Sequence, residues 1–539
     1  MQKSIKKSLA IFLSLIICII AIPVTIVSAE NATSGGLSYY NTGSGLVITG
    51  CDEDLTEVVI PDDINGNPVK SIENQAFIGC TKIKTITLGA NVSNIANGAF
   101  SPCTGLRNIY VDENNDRFCD VDGVLYNYEM TKLVAHPAAK AQDIYVIPDT
   151  VVEILPRALA WCESINEIII PDSVTTIGNM AFLSCSSLTS IEVPDSVVSL
   201  GSEAFSWNEG LEEIKLSKNI DSIGDRMFIY CSNLKSIEIP EGVKSIGKEA
   251  FAYCESLENI VIPDNVESIG DRIFSYCYNL KDITLSQNID RIGDRAFYFC
   301  EKLNIIDIPF GVTEIADYAF ASCPALADVT IPESVVRIGN NAFAWCESIT
   351  SLNLPTSVET IGDSAFTRCI GLTEVVIPEG VISIGELAFS SCNNIKSVSI
   401  SSTVEKIGDY AFYSCGSLNS IEVPANVTDI GYRSIGYGYF LDGRKWIYAT
   451  YPGFTIIGDK DTSAEAYAVA NGIAFDGIYE IGDPNGDGVT NIADIVNLQK
   501  VICGNTKLTP NQATACDLNN DGKIDVFDLI LLKQMVAQA

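Results

Sequence analysis

Two stretches near the C-terminus carry the residues best suited to chemistry: "DPNGDGVTNIAD" beginning at Asp483 and "DLNNDGKIDVFD" beginning at Asp517, 34 residues later. In the first, Asp483, Asn485 and Asp487 stand at positions 1, 3 and 5, Asn491 at 9 and Asp494 at 12. In the second, Asp517, Asn519, Asp521, Asp525 and Asp528 fill the same places. Gly488 and Gly522 occupy position 6, where the chain must turn sharply, and Val489 and Lys523 occupy position 7, where a backbone carbonyl can face inward. A hard divalent cation with six to eight oxygen ligands is satisfied by a 12-residue loop of this kind, which points to Ca²⁺, one ion per loop. An EF-hand would put a helix before the loop and Glu at position 12. Here "YEIG" precedes the first loop and Asp closes both.

Each loop runs directly into an apolar-periodic segment, "IADIVNLQK" after the first and "VFDLILLKQ" after the second, so two exiting helices are expected to position the loops. This duplicated loop-and-helix unit resembles the type I dockerin of cellulosomal proteins, over residues 481–539. The resemblance implies a small all-α calcium-binding domain whose partner is a cohesin module of a scaffold protein. It also implies which residues face that partner: Ile492 with Ala493 and Val526 with Phe527, at positions 10 and 11 of each loop. Gln499, Lys500, Lys533 and Gln534 are the polar contacts further along the helices. Cys503 ends the first helix and Cys516 precedes the second loop; a disulfide between them and two free thiols are both open readings.

What precedes this unit is a repeat. Phe77 and Phe100, then Leu159, Phe182 and Phe205 onward to Phe412 and Ile435, recur every 23 residues apart from one gap of 59. The unit is typified by "LKSIEIPEGVKSIGKEAFAYCES", with apolar columns at Leu234, Ile237, Ile239, Val243, Ile246, Ala250, Phe251 and Cys254. Leu-x-x-Ile-x-Ile puts alternate residues on one face of a short strand that Pro240 ends. Val243 to Ile246 forms a second extended piece, and the spacing of Ala250, Phe251 and Cys254 predicts a short helical turn. No coil buries such a face alone, so fifteen of them stack into a solenoid roughly 70 Å long.

The pattern resembles the bacterial surface-antigen leucine-rich repeats called BspA-like, over about residues 38–480. The expected architecture is a mixed α/β solenoid of parallel short strands with helical turns, followed by the small all-α domain. Residues 30–453 form the solenoid, with an insert at about 112–144 in which Asp122-Gly123 reads as a hairpin turn. Residues 454–480 form its C-terminal cap and linker, with a strand, a helix capped by Thr462 or Ser463 and stopped at Asn471-Gly472, and another strand.

Several columns weigh on function. An acid or amide, as at Asp225, Asp271, Asp294, Asp363, Asp409, Asn179 and Asn340, precedes the Ala-Phe pair and reads as a helix cap rather than a metal ladder. Thirteen cysteines share one column from Cys80 to Cys415, with Asn208 in place of one, and read as buried free thiols at a packing position. Two residues after the Phe stand Trp161, Trp207, Tyr230, Tyr253, Tyr276, Phe299 and Trp345. Exposed, this strip would hold sugar rings or a protein; partly buried, it is core filling. His136, the sole histidine, lies in the insert and is expected to be solvated.

Composition removes other classes. A formal charge of −34 repels phosphate backbones and anionic surfaces, so nucleic acid is not a partner. One histidine in 539 residues leaves Ser-His-Asp and Cys-His machinery to His136 alone, and no phosphate loop or zinc motif appears. Residues 1–29, with three lysines before a long apolar run and Ser28-Ala29 at its end, read as a secretory signal, so no membrane contact follows its cleavage. The chain is therefore expected to be a secreted, extracellular, noncatalytic binding protein, held at a cell surface or cellulosome by calcium-dependent cohesin binding. Its rod would recognise a protein or polysaccharide and so serve polysaccharide catabolism through carbohydrate or protein binding. The alternatives are an adhesin or protein inhibitor acting on host or competitor proteins, and a carbohydrate-active enzyme.

Overall fold

The computed structural model describes residues 32–442 and 445–538; the signal-like segment 1–29 lies outside them. Among the described residues, no helix is long and apolar enough to cross a membrane.

Each coil contributes two strands to two parallel ladders. Asn259–Val261 pairs with Asp282–Thr284 and Ser245–Ile246 with Ser268–Ile269, each residue meeting the one 23 positions on. Alternation drives the register: Ile260 is buried while Asn259 and Val261 face outward. A one-residue slip would turn every apolar side chain to solvent.

On the third side of the coil, where the periodicity predicts a helical turn, there is none. Ala252 N–H bonds Glu249 O and Cys254 N–H bonds Phe251 O, closing two tight turns, with Glu249 and Tyr253 left-handed at φ 56° and 62°. The intervening amides point along the rod instead: Glu249, Phe251 and Tyr253 donate to the carbonyls of Asp271, Ile273 and Ser275 in the next coil. A third ladder thus replaces helical hydrogen bonding. Pairing these amides from coil to coil offsets the cost of bulky residues at positive φ.

The Phe rings stack along the interior at centroid spacings of 5.1–6.0 Å from Phe182 to Phe412. One continuous core reaches from Val124 to Ile473, and a second fills the N-terminal coils. That end is closed by three antiparallel strands, β1 (Ala32–Ser34), β2 (Leu37–Asn41) and β3 (Leu46–Cys51), the last of which continues into the first coil by pairing in parallel with Asn67–Ile72. The insert folds as Phe118–Val121 against Val124–Asn127 through Asp122-Gly123, both at positive φ, the expected hairpin turn.

At the other end Thr455–Gly458 and Ala474–Gly477 extend the first ladder, and helix α1 (Ser463–Asn471) crosses between them and stops at left-handed Gly472. Three further helices follow: α2 (Ile492–Ile502), α3 (Pro510–Cys516) and α4 (Val526–Gln538).

The candidate calcium loops and the surface of the rod

In the first loop Asp483 gathers the turn. Its Oδ1 accepts the Gly486 and Asp487 amides at 2.9 and 3.3 Å, and its Oδ2 accepts Gly488 N–H at 2.8 Å. The second loop repeats this: Asp517 Oδ1 accepts Asp521 N–H at 3.1 Å and Oδ2 accepts Gly522 N–H at 2.8 Å. Asn485 and Asn519 each accept the amide two residues on, as do Asp487 and Asp521. Gly488 and Gly522 sit at φ 79° and 77°, the left-handed turn that position 6 requires.

Position 12 is buried in both loops. Asp494 accepts the Asn485 and Asn491 amides, and Asp528 accepts those of Leu518, Asn519 and Asp525, so each carboxylate ties its loop to the first turn of α2 or α4. Oxygens of Asp483, Asp487 and Asp494 lie within 4.8 Å of one another. Burial, then the negative charges of Asp483 and Asp487, raise the Asp494 carboxyl above the usual carboxylate range. Three converging acids, two of them buried, are unfavourable unless a cation joins them, and the residues fit one.

The position-9 side chains have another task. Asn491 Oδ1 accepts Ala493 N–H and Asp525 Oδ1 accepts Phe527 N–H, both at 2.7 Å, so each caps a helix. Asn491 also donates to the Val489 carbonyl at 2.8 Å; Asp525 has no such donor, so the Lys523 carbonyl has no matching bond.

Just inside the helices the predicted contact residues stand exposed. Ile492 is 69% and Phe527 66% accessible, with Val526 and Ala493 also exposed, and Gln499, Lys500, Lys533 and Gln534 lie outward farther along α2 and α4. The structure does not bring Cys503 and Cys516 together. Cys516 packs beneath Leu498 and Leu532, whereas Cys503 is exposed, and both are free thiols.

One set of contacts has no motif behind it. Lys460, from the turn before α1, donates Nζ to the Asn485 carbonyl and lies 5.1 Å over the Tyr479 ring. Gln512 bonds Pro484 O, and Asp476 accepts Asn511 N–H at the start of α3, so the first loop rests on the cap of the rod while the second does not.

Along the rod three expectations change. The Asp and Asn column does accept backbone amides, but from the following coil: Lys248 to Asp225, Asp294 to Asp271, Asp363 to Asn340, Glu386 to Asp363 and Tyr432 to Asp409, at 2.8–2.9 Å. A Cβ on Gly247 would run into Asp225 Oδ1, which is why a glycine recurs beside this column. The acids are structural acceptors, not helix caps.

The cysteine column is likewise a hydrogen-bonding position. Eleven of the thirteen thiols donate to the carbonyl of the Phe-column residue 26 residues earlier, as Cys254 does to Phe228 at 3.2 Å and Cys415 to Phe389 at 3.3 Å. Asn208 replaces thiol with amide and donates to the Phe182 and Phe205 carbonyls at 3.0 and 2.9 Å.

His136 is buried, not solvated. Its amide bonds Ala158 O as a Phe-column amide would, it stands 23 residues before Leu159, and its Nδ1 lies 3.3 Å from the Cys162 thiol. The 59-residue gap therefore holds one degenerate coil with His in place of Phe. Its Nε2 has no partner and borders a cavity of about 20 Å³, room for one water. Burial lowers the imidazole to about 4 and raises the Cys162 thiol, so both groups of this Cys-His pair favour their neutral forms.

The aromatic strip is half-buried from Trp207 to Phe299. Its rings stack face to face at 4.0, 4.3, 4.5 and 5.3 Å, so each covers the face of its neighbour. Trp345 is more open, 46% accessible, and carries the Arg368 guanidinium 4.0 Å over its ring. A second cluster lies at the C-terminal coils, where Arg433 lies over the rings of Tyr432 and Tyr448.

Comparison with known proteins agrees with this division. A family model described as BspA type leucine rich repeat region matches in six copies over residues 49–121, 141–241, 221–349 and 336–437, and a model of the dockerin type I domain matches residues 481–537. No curated protein matches the chain. Similar solved structures include a leucine-rich repeat protein from Bacteroides ovatus, 25% identical with a TM-score of 0.45, covering 74% of this chain and 95% of that one. Another is a leucine rich cell surface protein from Faecalibacterium prausnitzii, 25% identical at 0.41, covering 75% and 95%.

Proposed function

This chain belongs to the BspA-type leucine-rich repeat family and ends in a type I dockerin domain, and from that premise we propose that it is a secreted, noncatalytic component of a cellulosome-type assembly. Type I dockerins bind calcium and cohesins. Asp483, Asn485, Asp487, Asp494 and the Val489 carbonyl would hold one ion, and Asp517, Asn519, Asp521, Asp528 and the Lys523 carbonyl a second, with Asn491 and Asp525 at position 9. The metal would neutralise the converging carboxylates and fix the loops at the starts of α2 and α4. Ile492, Ala493, Val526 and Phe527 would then form the apolar centre of the cohesin contact, rimmed by Gln499, Lys500, Lys533 and Gln534.

The observation that carries this reading is the pair of matched loops with exposed apolar residues directly behind their closing acids. Ala493 opposite Phe527 makes the two halves unequal, and the first loop also rests on the rod, so one orientation on the partner is favoured.

For the rod, a protein ligand is the better-supported choice. A sugar ring stacks on an open aromatic face, whereas the faces from Trp207 to Phe299 cover one another. The test is calorimetry of the full chain against a cohesin panel with calcium and with EGTA. Saturable binding in calcium alone is expected; binding that persists in EGTA, or none to any cohesin, overturns the proposal. Release of sugar from plant polysaccharides would instead support an enzyme.

A further inference from the structure

The thiol ladder has one member without its carbonyl. From Cys103, which donates to Phe77 O at 3.3 Å, to Cys415, the column's thiols find an acceptor in the preceding coil, and Cys162 finds His136 in the same place. Cys80 belongs to the first coil and has no such coil before it; its nearest carbonyl, Ile78 O, is 3.9 Å away. What stands there is Cys51, the last residue of β3, with its Sγ 2.9 Å from Cys80 Sγ. That is well inside the contact distance of two sulfur atoms that ignore each other.

We propose that Cys51 and Cys80 form a disulfide that staples the N-terminal antiparallel cap to the first coil of the rod. The reading rests on export of the chain, because a cytosolic redox poise would keep the pair reduced. The two thiols would give up two protons and two electrons to a disulfide-carrying thiol oxidant of the extracytoplasmic space, which leaves as its dithiol while the Sγ–Sγ bond forms. Burial and the neighbouring sulfur push the Cys51 thiol up, so oxidation would come while β3 is still open to solvent. The other column thiols are unsuited to compete. They are fully buried and their pKa values are raised by desolvation, so none offers a thiolate for exchange. The position is also where a staple is useful: an open solenoid end has one fewer neighbour, and here it closes a 29-residue loop.

The experiment takes the full chain from culture medium, alkylates it in denaturant without reductant, and maps its peptides by mass spectrometry. Residues 51 and 80 are expected in one cross-linked peptide, with the remaining rod cysteines alkylated. A parallel sample purified from reducing cytosol and equilibrated with glutathione disulfide should form the same link. Its formation there but not in the medium would uphold the pairing and count against export. Recovery of both residues alkylated in both samples, or linkage of either to another cysteine, overturns the proposal. Hydrogen exchange supplies a second readout: dithiothreitol should lower amide protection in β1–β3 of the native protein and leave the C51S/C80S protein unchanged. Equal loss of protection in both would sink the staple.

Discussion

The rod and the tail satisfy the same requirement by opposite means. In the rod neighbouring coils supply one another's acceptors, so most turn amides and column thiols and the Asp column are paired from within, and one apolar core carries the fold from Val124 to Ile473. Over residues 481–537 the fully buried apolar cluster is Leu498, Cys516 and Leu532, with partly buried side chains around it, while the closing acids of both loops, Asp494 and Asp528, are as buried as those three. So small a core does not hold three helices together by itself. A repeat is complete when another copy is added; the tail, on the function proposed above, is complete when a cation arrives. That difference places the exchangeable chemistry of the molecule in its last tenth.

The largest effect should come from removing that cation. With EGTA, or with Asp487→Ala and Asp521→Ala together, cohesin binding should vanish and residues 481–538 should lose amide protection, while the strand signal of the rod stays. Hydrogen exchange and circular dichroism would read both halves at once. Melting of the rod along with the tail would break the comparison, and Lys460 on Asn485 is where such coupling would enter.

The reciprocal disruption belongs to the rod. Phe274→Ala opens a hole between the rings of Phe251 and Phe297, at a cost of about 3–5 kcal/mol. The rod's unfolding midpoint should fall by urea titration. Calcium uptake by the tail, measured by calorimetry, should not move.

A third test uses acid. His136 is lowered to about 4 in the folded rod from an ordinary 6.5, so the unfolded chain binds the extra proton first as pH falls. Stability contributed by the neutral imidazole is present above about pH 6.5 and is lost progressively down to about pH 4, up to roughly 3 kcal/mol. His136→Phe restores the residue the column carries elsewhere and should flatten this slope around the insert. Equal acid sensitivity in both proteins would show that the histidine is not the group responsible.

Much of this was legible in the sequence because it is periodic. A spacing of 23 residues fixes which side chains share a column, and alternation fixes which are buried, so the solenoid, its strands and the thiol column could be read directly. Periodicity does not say where a hydrogen bond goes. The same Gly-Asp spacing reads as a helix cap within one coil or as a rung to the next, and only the stacked backbone decides for the rung at Asp225. His136 is hidden for a related reason: without the Phe that marks a coil, the degenerate repeat reads as loop in the sequence. The two acid-rich loops stand out by their oxygen spacing, but nothing in "GDKD" announces that Lys460 reaches across to the first of them.

Smaller effects should sharpen the picture at the partner face. Ile492→Ala and Phe527→Ala remove exposed apolar area without touching a carboxylate, so each should weaken cohesin binding by about 1–2 kcal/mol, roughly tenfold, with calcium uptake intact. If the unequal halves favour one orientation, one of the two substitutions should cost clearly more than the other. Equal losses would instead indicate that both orientations are used.

The finest distinction concerns what a rung of the rod is. Asn208 makes three bonds where a cysteine makes one: two from its amide to the Phe182 and Phe205 carbonyls, and one accepted from Cys185 N–H at 2.6 Å. Asn208→Cys returns the column's usual residue and keeps a donor to the Phe182 carbonyl, but it removes the amide bond to the Phe205 carbonyl and sends the Cys185 amide back to the Phe182 carbonyl, as Cys254 N–H goes to Phe251 O. If the column is filled for packing alone, the change is neutral or stabilising, since a thiol is the better apolar filler. Because amide hydrogen bonds to buried groups are exchanged for fewer and weaker thiol ones, it should instead destabilise by up to about 1 kcal/mol, read as a small drop in the rod's urea midpoint with the slope unchanged. A gain in stability would return the cysteine column to packing and remove hydrogen bonding as the reason it repeats.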